Sequence, residues 1–76
     1  MEKKLLIHTL DQLFKLNRLA EKVPEAVYLK QKDGSITANA KSGLNLFALD
    51  LSSPVTVVSE SAELMDILEK EYVNLD

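Results

Sequence analysis

The chain contains one histidine, His8, whose ring nitrogens make it the candidate acceptor of a transferred phosphoryl group. A phosphohistidine needs an exposed nitrogen, with N–H groups or an arginine nearby to hold the phosphate. No arginine closely follows His8, and an apolar run at residues 5–7 precedes it. We therefore expect His8 to be a partly exposed residue of a first strand, with phosphate acceptance as the alternative.

A second candidate, Ser42, precedes a short apolar segment that begins at Gly43. A serine hydroxyl at the start of a helix accepts a hydrogen bond from a free backbone N–H group. A phosphate at the same position would be stabilised by the same helix dipole. The sequence therefore predicts that Ser42 is an N-cap, and it makes Ser42 a candidate regulatory phosphosite.

The segment 43–51 is a candidate docking surface. It holds six apolar side chains in nine residues, which is more than one face of a helix can bury. Apolar side chains that overflow to a surface often mark a partner site, so Leu44 and Phe47 are predicted docking residues. The alternative is that both belong to the core. Basic residues that would either guide a phosphorylated partner or form a solvated face are Lys15, Arg18 and Lys41.

Other kinds of site chemistry find no support in the residues. The chain has no cysteine, which excludes disulfides and thiolate metal sites. It has no Ser-His-Asp order, glycine-rich phosphate loop, paired catalytic carboxylates or metal-ligand spacing. A carboxylate phosphoacceptor at Asp11 would need a second acid and a metal, so Asp11 is predicted to be an N-cap instead. We therefore expect no enzymatic activity, no metal and no cofactor.

Composition narrows the class of partner. The 76 residues form one small domain, 1–76, with a net charge of −3. The nine basic residues are scattered and outnumbered by twelve acidic ones, which argues against nucleic-acid binding. No run of 18 apolar residues exists, and the apolar stretch near the start is too short for a signal peptide, so no membrane partner and a cytoplasmic location are expected.

Periodicity predicts four strands and three helices in the order β-α-β-β-α-β-α. The strands are expected at residues 3–9, 26–32, 35–40 and 55–59, with an Asp33-Gly34 hairpin between the second and third. The helices are expected at 11–23, at 43–51, and from a Ser61 N-cap to near Asn74. Each helix has one apolar stripe, so helices would cover one sheet face and leave the other polar. The fold class is therefore α+β, an open-faced sandwich, and the side chains predicted on its wet face are Tyr28, Lys30, Thr37, Asn39 and Thr56.

The segment 38–51, Ala-Asn-Ala-Lys-Ser-Gly-Leu-Asn-Leu-Phe-Ala-Leu-Asp-Leu, resembles the centre of HPr, the phosphocarrier of the bacterial sugar phosphotransferase system. In that family a third strand ends in Lys-Ser and runs into a short apolar helix. The element order matches over nearly the whole chain, and the residue match is sharp at 36–59. The resemblance implies a four-stranded antiparallel sheet with three helices on one face.

The resemblance also assigns roles to residues. It places Ser42 where many family members carry a serine phosphorylated by an ATP-dependent kinase, and Leu44 and Phe47 where the family contacts its partners. The active-site signature Gly-Leu-His-(Ala/Thr)-Arg-Pro is absent, and its histidine would fall near Asp11. Aligning His8 with it would leave only seven residues for the first strand and its loop.

These observations lead to one hypothesis and two alternatives. The hypothesis is a divergent HPr-like protein that regulates or binds other proteins without histidine phosphotransfer, with possible regulation at Ser42. Its expected partners are phosphotransferase enzymes, a serine kinase or a transcription regulator. The alternatives are an active phosphocarrier that uses His8, and an unrelated small interaction domain.

Overall fold

Five strands and three helices lie along residues 1–31 and 37–75, the part of the chain that the computed structural model describes. Their order is β-α-β-β-α-β-α-β. The bounds are β1 Glu2–Leu6, α1 Leu10–Glu21, β2 Val27–Gln31, β3 Thr37–Asn39, α2 Gly43–Leu46, β4 Val55–Ser59, α3 Ala62–Glu71 and β5 Val73–Asn74. The predicted Asp33-Gly34 hairpin and the first residues of the predicted third strand lie at 32–36, outside the described residues.

The strands form one antiparallel sheet in the order β3-β2-β4-β1-β5. β4 lies between β1 and β2, so the strands that flank α1 do not pair with each other. The predicted α+β class is confirmed. The predicted count of four strands is wrong, because the sheet has five.

The strand missed by sequence analysis is β5, which lies where the last helix was expected to fray. Tyr72 leaves α3 in an extended conformation, with φ −125° and ψ 158°. The side-chain amide of Asn74 then donates to the carbonyls of Leu68, Glu69 and Tyr72. These bonds close the C-terminal end of α3, and Leu75 N donates to Lys4 O at 3.0 Å beside β1.

Burial alternates along the strands, as a sheet with one covered face requires. In β2, Val27 and Leu29 are fully buried, while Tyr28 and Lys30 are exposed. The helical stripes predicted for α1 and α3 are buried as well, including Leu13, Leu16 and Ala20 in α1 and Leu64 and Leu68 in α3. All five predicted wet-face residues are exposed or half-buried: Tyr28, Lys30, Thr37, Asn39 and Thr56.

Candidate functional site

The helix after Lys41 is shorter than predicted. It was expected to span 43–51, but α2 ends at Leu46 and the chain continues in tight turns. There Phe47 N donates to Leu44 O at 3.4 Å, and Leu49 N donates to Leu46 O at 3.2 Å. Such i→i−3 bonds align residues three apart, which brings Leu46 and Leu49 together into the core.

Two apolar side chains of this segment point to the outside. Leu44 is 83% exposed and Phe47 is 62% exposed, so the alternative that both are core residues is wrong. The Phe47 ring packs edge-on against Phe14 of α1, with 5.9 Å between centroids and 71° between planes. Leu10 is 52% exposed and lies one turn before Phe14 on the same side of α1. We call these four residues the α1–α2 patch.

Side-chain bonds hold the backbone beneath this patch in place. The Asn17 amide of α1 donates to Ala40 O at 2.7 Å, just before α2. The Lys41 ammonium donates to Val23 O at 2.7 Å, beyond the other end of α1. At the far end of the turns, Asp50 N donates to the buried Gln31 side chain at 2.6 Å. The patch is therefore positioned by its neighbours on α1 and β2.

Ser42 stands at the predicted N-cap position, in an extended conformation with φ −104° and ψ 107°. The predicted capping bond is wrong, because the hydroxyl accepts no bond from the first turn. Asn45 N, the donor that a serine cap would use, instead donates to the carbonyl of Ser42 at 3.1 Å. The tight geometry of α2 thus satisfies this donor through the backbone. The Ser42 side chain is half-buried at the edge of the patch.

The start of α1 also differs from its prediction. Thr9 is the N-cap, not Asp11, and the Thr9 hydroxyl accepts from Gln12 N at 3.2 Å. The Gln12 side chain reaches back and accepts from His8 N at 2.6 Å. Thr-x-x-Gln is a capping-box signature that the sequence contained. Asp11 lies in the first helical turn, where its charge suits the helix dipole.

His8 is outside the strand that was predicted to contain it. β1 is complete at Leu6, Ile7 is buried, and His8 is exposed directly before the Thr9 cap. The seven residues before His8 therefore hold the whole of the first strand. His8 stands at the N-terminal entry of α1, three residues before Asp11.

The predicted basic residues do not form one cluster. Lys15 is paired with Glu71 at the end of α3, and Lys41 is bound to a backbone carbonyl. The Arg18 guanidinium makes no ion pair with the described residues and is exposed. Burial and the Glu71 carboxylate raise the pKa of Tyr72 to about 12, and the positive charge of Arg18 acts in the opposite direction. Arg18 is thus the cation most available beside the patch.

Metal and membrane sites find no counterpart in residues 1–31 and 37–75. No group of three or more histidine or acidic side chains there could hold a metal ion. Within the same residues, no helix combines the length and the apolar character that a bilayer crossing requires. The Asp50 carboxylate accepts hydrogen bonds from the hydroxyl and the backbone N–H of Ser52, and these bonds lower its pKa.

No protein-family model, no curated protein and no solved structure matches this chain.

Proposed function

We propose that this chain is a divergent HPr-like protein that docks other proteins on its α1–α2 patch and does not transfer phosphate on a histidine. The observation that carries the proposal is the exposure of Leu44 and Phe47, at 83% and 62%, on a segment that its neighbours hold in place. Exposed apolar side chains cost solubility, so a small domain that keeps them in a fixed cluster is expected to use them.

The make-up of the patch fits a binding site. Phe14 and Phe47 present an aromatic pair, and aromatic side chains supply much of the energy at interfaces. Arg18 lies one helical turn beyond Phe14, where it can pair with a carboxylate or phosphate of the partner. The patch thus combines an apolar centre with a cation at its rim.

Ser42 would regulate this surface by charge. It is two residues from Leu44 and half-buried at the edge of the patch. A phosphate there would place an anion beside the apolar centre and weaken a partner that buries it. Because the hydroxyl makes no capping bond, modification would not cost the fold a cap.

The test is a titration of the ¹⁵N-labelled protein with purified candidate partners: the general phosphotransferase enzyme, the serine kinase and the transcription regulator of its host. Shifts confined to α1 and residues 41–49 are expected. Leu44→Ala and Phe47→Ala should each weaken binding by about tenfold or more. Leu75→Ala, at an exposed apolar residue outside the patch, is the matched control.

Ser42→Asp should weaken the same complex, and Ser53→Asp, with the same charge change in the loop before β4, should not. If none of these three partners binds, the link to the phosphotransferase system is overturned, and the alternative of an unrelated interaction domain remains. Binding that is indifferent to Leu44 and Phe47 would overturn the patch.

A phosphocarrier that uses His8 is the second candidate, favoured by the exposed position of His8 before the Thr9 cap. Free N–H groups of the first turn of α1 lie next to it, and such groups bind phosphate. The motif lacks its arginine, since Leu10 and Asp11 follow where Arg-Pro would stand. Incubation with phosphoenolpyruvate and the general phosphotransferase enzyme separates the two candidates. An acid-labile phosphoryl group that His8→Ala removes would establish the carrier, and an unchanged mass is expected.

A further inference from the structure

The sheet face turned away from the helices carries apolar side chains as well as polar ones. We call it the open face. Val58 lies opposite Tyr28 across the β4–β2 pair, and Leu6 lies opposite Val73 across the β1–β5 pair. Tyr28 is 43% exposed, Val73 is 50% exposed and Leu75 is 43% exposed. The face is therefore a second surface with apolar area open to contact, separate from the α1–α2 patch.

Charges on the open face are sorted along the strands. Lys4 and Lys30 flank Thr56 in one row of the sheet. Glu2 lies in the neighbouring row, which passes through Val58 and Tyr28. Glu25 and Glu60 lie beyond that row, and the terminal ammonium of Met1 pairs with Glu60 at 3.5 Å. Among the residues that the structure describes, the face thus has a basic end with Lys4 and Lys30 and an acidic end with three carboxylates against one ammonium.

Each end of the open face also has a recess. The recess at the acidic end has a volume of about 390 Å³, and Tyr28, Val58 and Glu60 are among its walls. The recess at the basic end has a volume of about 260 Å³ and is lined by Lys4, Pro54, Thr56 and Leu75. An aromatic ring flanked by carboxylates suits the ammonium group of a lysine. The lysines that this chain could offer to such a recess stand at the opposite end of the same face.

We propose that the open face binds a second copy of this chain, face to face, about a two-fold axis that runs across the strands. This axis reverses the strand direction, so it places the basic end of each copy over the acidic end of the other. A two-fold axis parallel to the strands would set lysines against lysines and is disfavoured by like-charge repulsion. The self-complementary pattern is what an isologous interface requires.

The dimer is weak and depends on concentration. β1, β2 and β4 are each about 17 Å long, whereas β3 and β5 are only about 10 Å and 7 Å long; at a spacing of about 4.8 Å they give a contact footprint of roughly 330 Å² on each copy. The total for two copies is about half the area of the smallest stable interfaces, so the contact can only be a weak, transient one. The expected behaviour is a monomer in dilute solution that moves toward twice the mass of 8.5 kDa as concentration rises.

The experiment is sedimentation equilibrium of the full chain and of charge-reversal variants, over a concentration series. One variant carries Lys4→Glu and Lys30→Glu, and the other carries Glu2→Lys and Glu60→Lys. All four positions are exposed, so both variants should stay folded, which circular dichroism checks. Each variant alone should remain monomeric, because like charges would then face each other at both ends of the interface.

The decisive measurement is an equimolar mixture of the two variants, which should form a dimer at the wild-type concentration or below. Raised salt should weaken both the wild-type dimer and the mixed dimer, because the guiding charges are exposed. Tyr28→Glu, which removes the ring from the recess at the acidic end, should abolish the wild-type dimer, and Leu44→Ala on the α1–α2 patch should leave it unchanged. A wild-type chain that stays monomeric throughout, or a dimer that Leu44→Ala breaks and Tyr28→Glu does not, would overturn the proposal.

Discussion

The helices α2 and α3 both follow a serine, yet they are held in place in different ways. Before α3, the Ser61 hydroxyl accepts from Leu64 N at 3.2 Å, and Ser61 N donates to the Ser59 hydroxyl at 3.1 Å. The helix then runs for ten residues with Leu64 and Leu68 fully buried. Its own sequence therefore supplies both the cap and the anchoring stripe.

By contrast, α2 is only four residues long, and its serine makes no side-chain cap. An isolated helix of that length is not stable in water. Its position comes from Asn17 and Gln31, side chains of other elements that bond to the backbone on either side of it. The comparison teaches that a segment held by its neighbours is free to expose Leu44 and Phe47, because its placement does not require their burial.

The largest difference between the two helices should appear when one leucine is removed from each. Leu68→Ala in α3 should lower the free energy of unfolding by about 2–5 kcal/mol, because it leaves a cavity in the core. Leu16→Ala, at another fully buried position, should behave alike. Leu44→Ala in α2 should change it by less than about 0.5 kcal/mol. Urea unfolding of the three variants measures this, and a large loss for Leu44→Ala would mean that the patch is part of the core.

The next effect tests whether α2 is held from outside. Asn17→Ala removes the donor to Ala40 O and should cost about 1–3 kcal/mol, since that carbonyl loses its partner in a part-buried site. Asn45→Ala, at an exposed asparagine within α2, is the matched control and should be near neutral. In amide hydrogen exchange, Asn17→Ala should speed exchange in residues 41–49 more than in α3. Equal acceleration in both helices would contradict the idea of a separately held segment.

A smaller effect compares the two serines directly. Ser61→Ala should cost about 0.5–2 kcal/mol, because a buried capping bond is lost. Ser42→Ala should cost less than about 0.5 kcal/mol, because its hydroxyl caps nothing. Thermal unfolding of both variants checks the order. A reversed order would mean that the Ser42 hydroxyl caps α2 in solution.

The sequence predicted those parts of the fold that depend on residues close together in the chain. The stripes of α1 and α3, the alternation in β2 and the Ser61 cap depend on spacings within one element, and all were predicted correctly. The strand β5 was missed because its two residues have no pattern of their own. They pair with β1 across most of the chain length, and the Asn74 side chain donates to the carbonyls at the end of α3, which stops at Glu71.

The candidate site was predicted only in part, because some of its residues come together from distant positions in the chain. The apolar excess at 43–51 indicated exposed residues, but only the structure adds Leu10 and Phe14 from α1. The length of α2 and the lost Ser42 cap depend on tight turns whose leucines are drawn into the core. The position of His8, by contrast, could have been predicted from the sequence. The Thr-x-x-Gln capping box at Thr9 marks the start of α1 and would have placed His8 after the end of the strand.

The smallest expected effect concerns Tyr72, which ties the end of α3 to α1. Its hydroxyl donates to Gln12 O at 2.7 Å, so Tyr72→Phe should cost about 0.5–1.5 kcal/mol at pH 8. Tyr28→Phe, at an exposed ring, is the control and should change little.

This cost should also depend on pH in a defined direction. Burial raises the pKa of Tyr72 to about 12 in the folded chain, against an ordinary value of 10.0. Below pH 10 the hydroxyl is protonated in both states and its full contribution to stability is present. Between pH 10 and 12 the unfolded state releases this proton first, so the wild-type chain loses stability. The Tyr72→Phe chain has no hydroxyl at this position and does not undergo this loss. The difference in unfolding free energy between the two chains should therefore shrink as pH rises through this window, measured by urea unfolding at each pH. A constant or growing difference would mean that the Tyr72 hydroxyl is not held in its bond to α1.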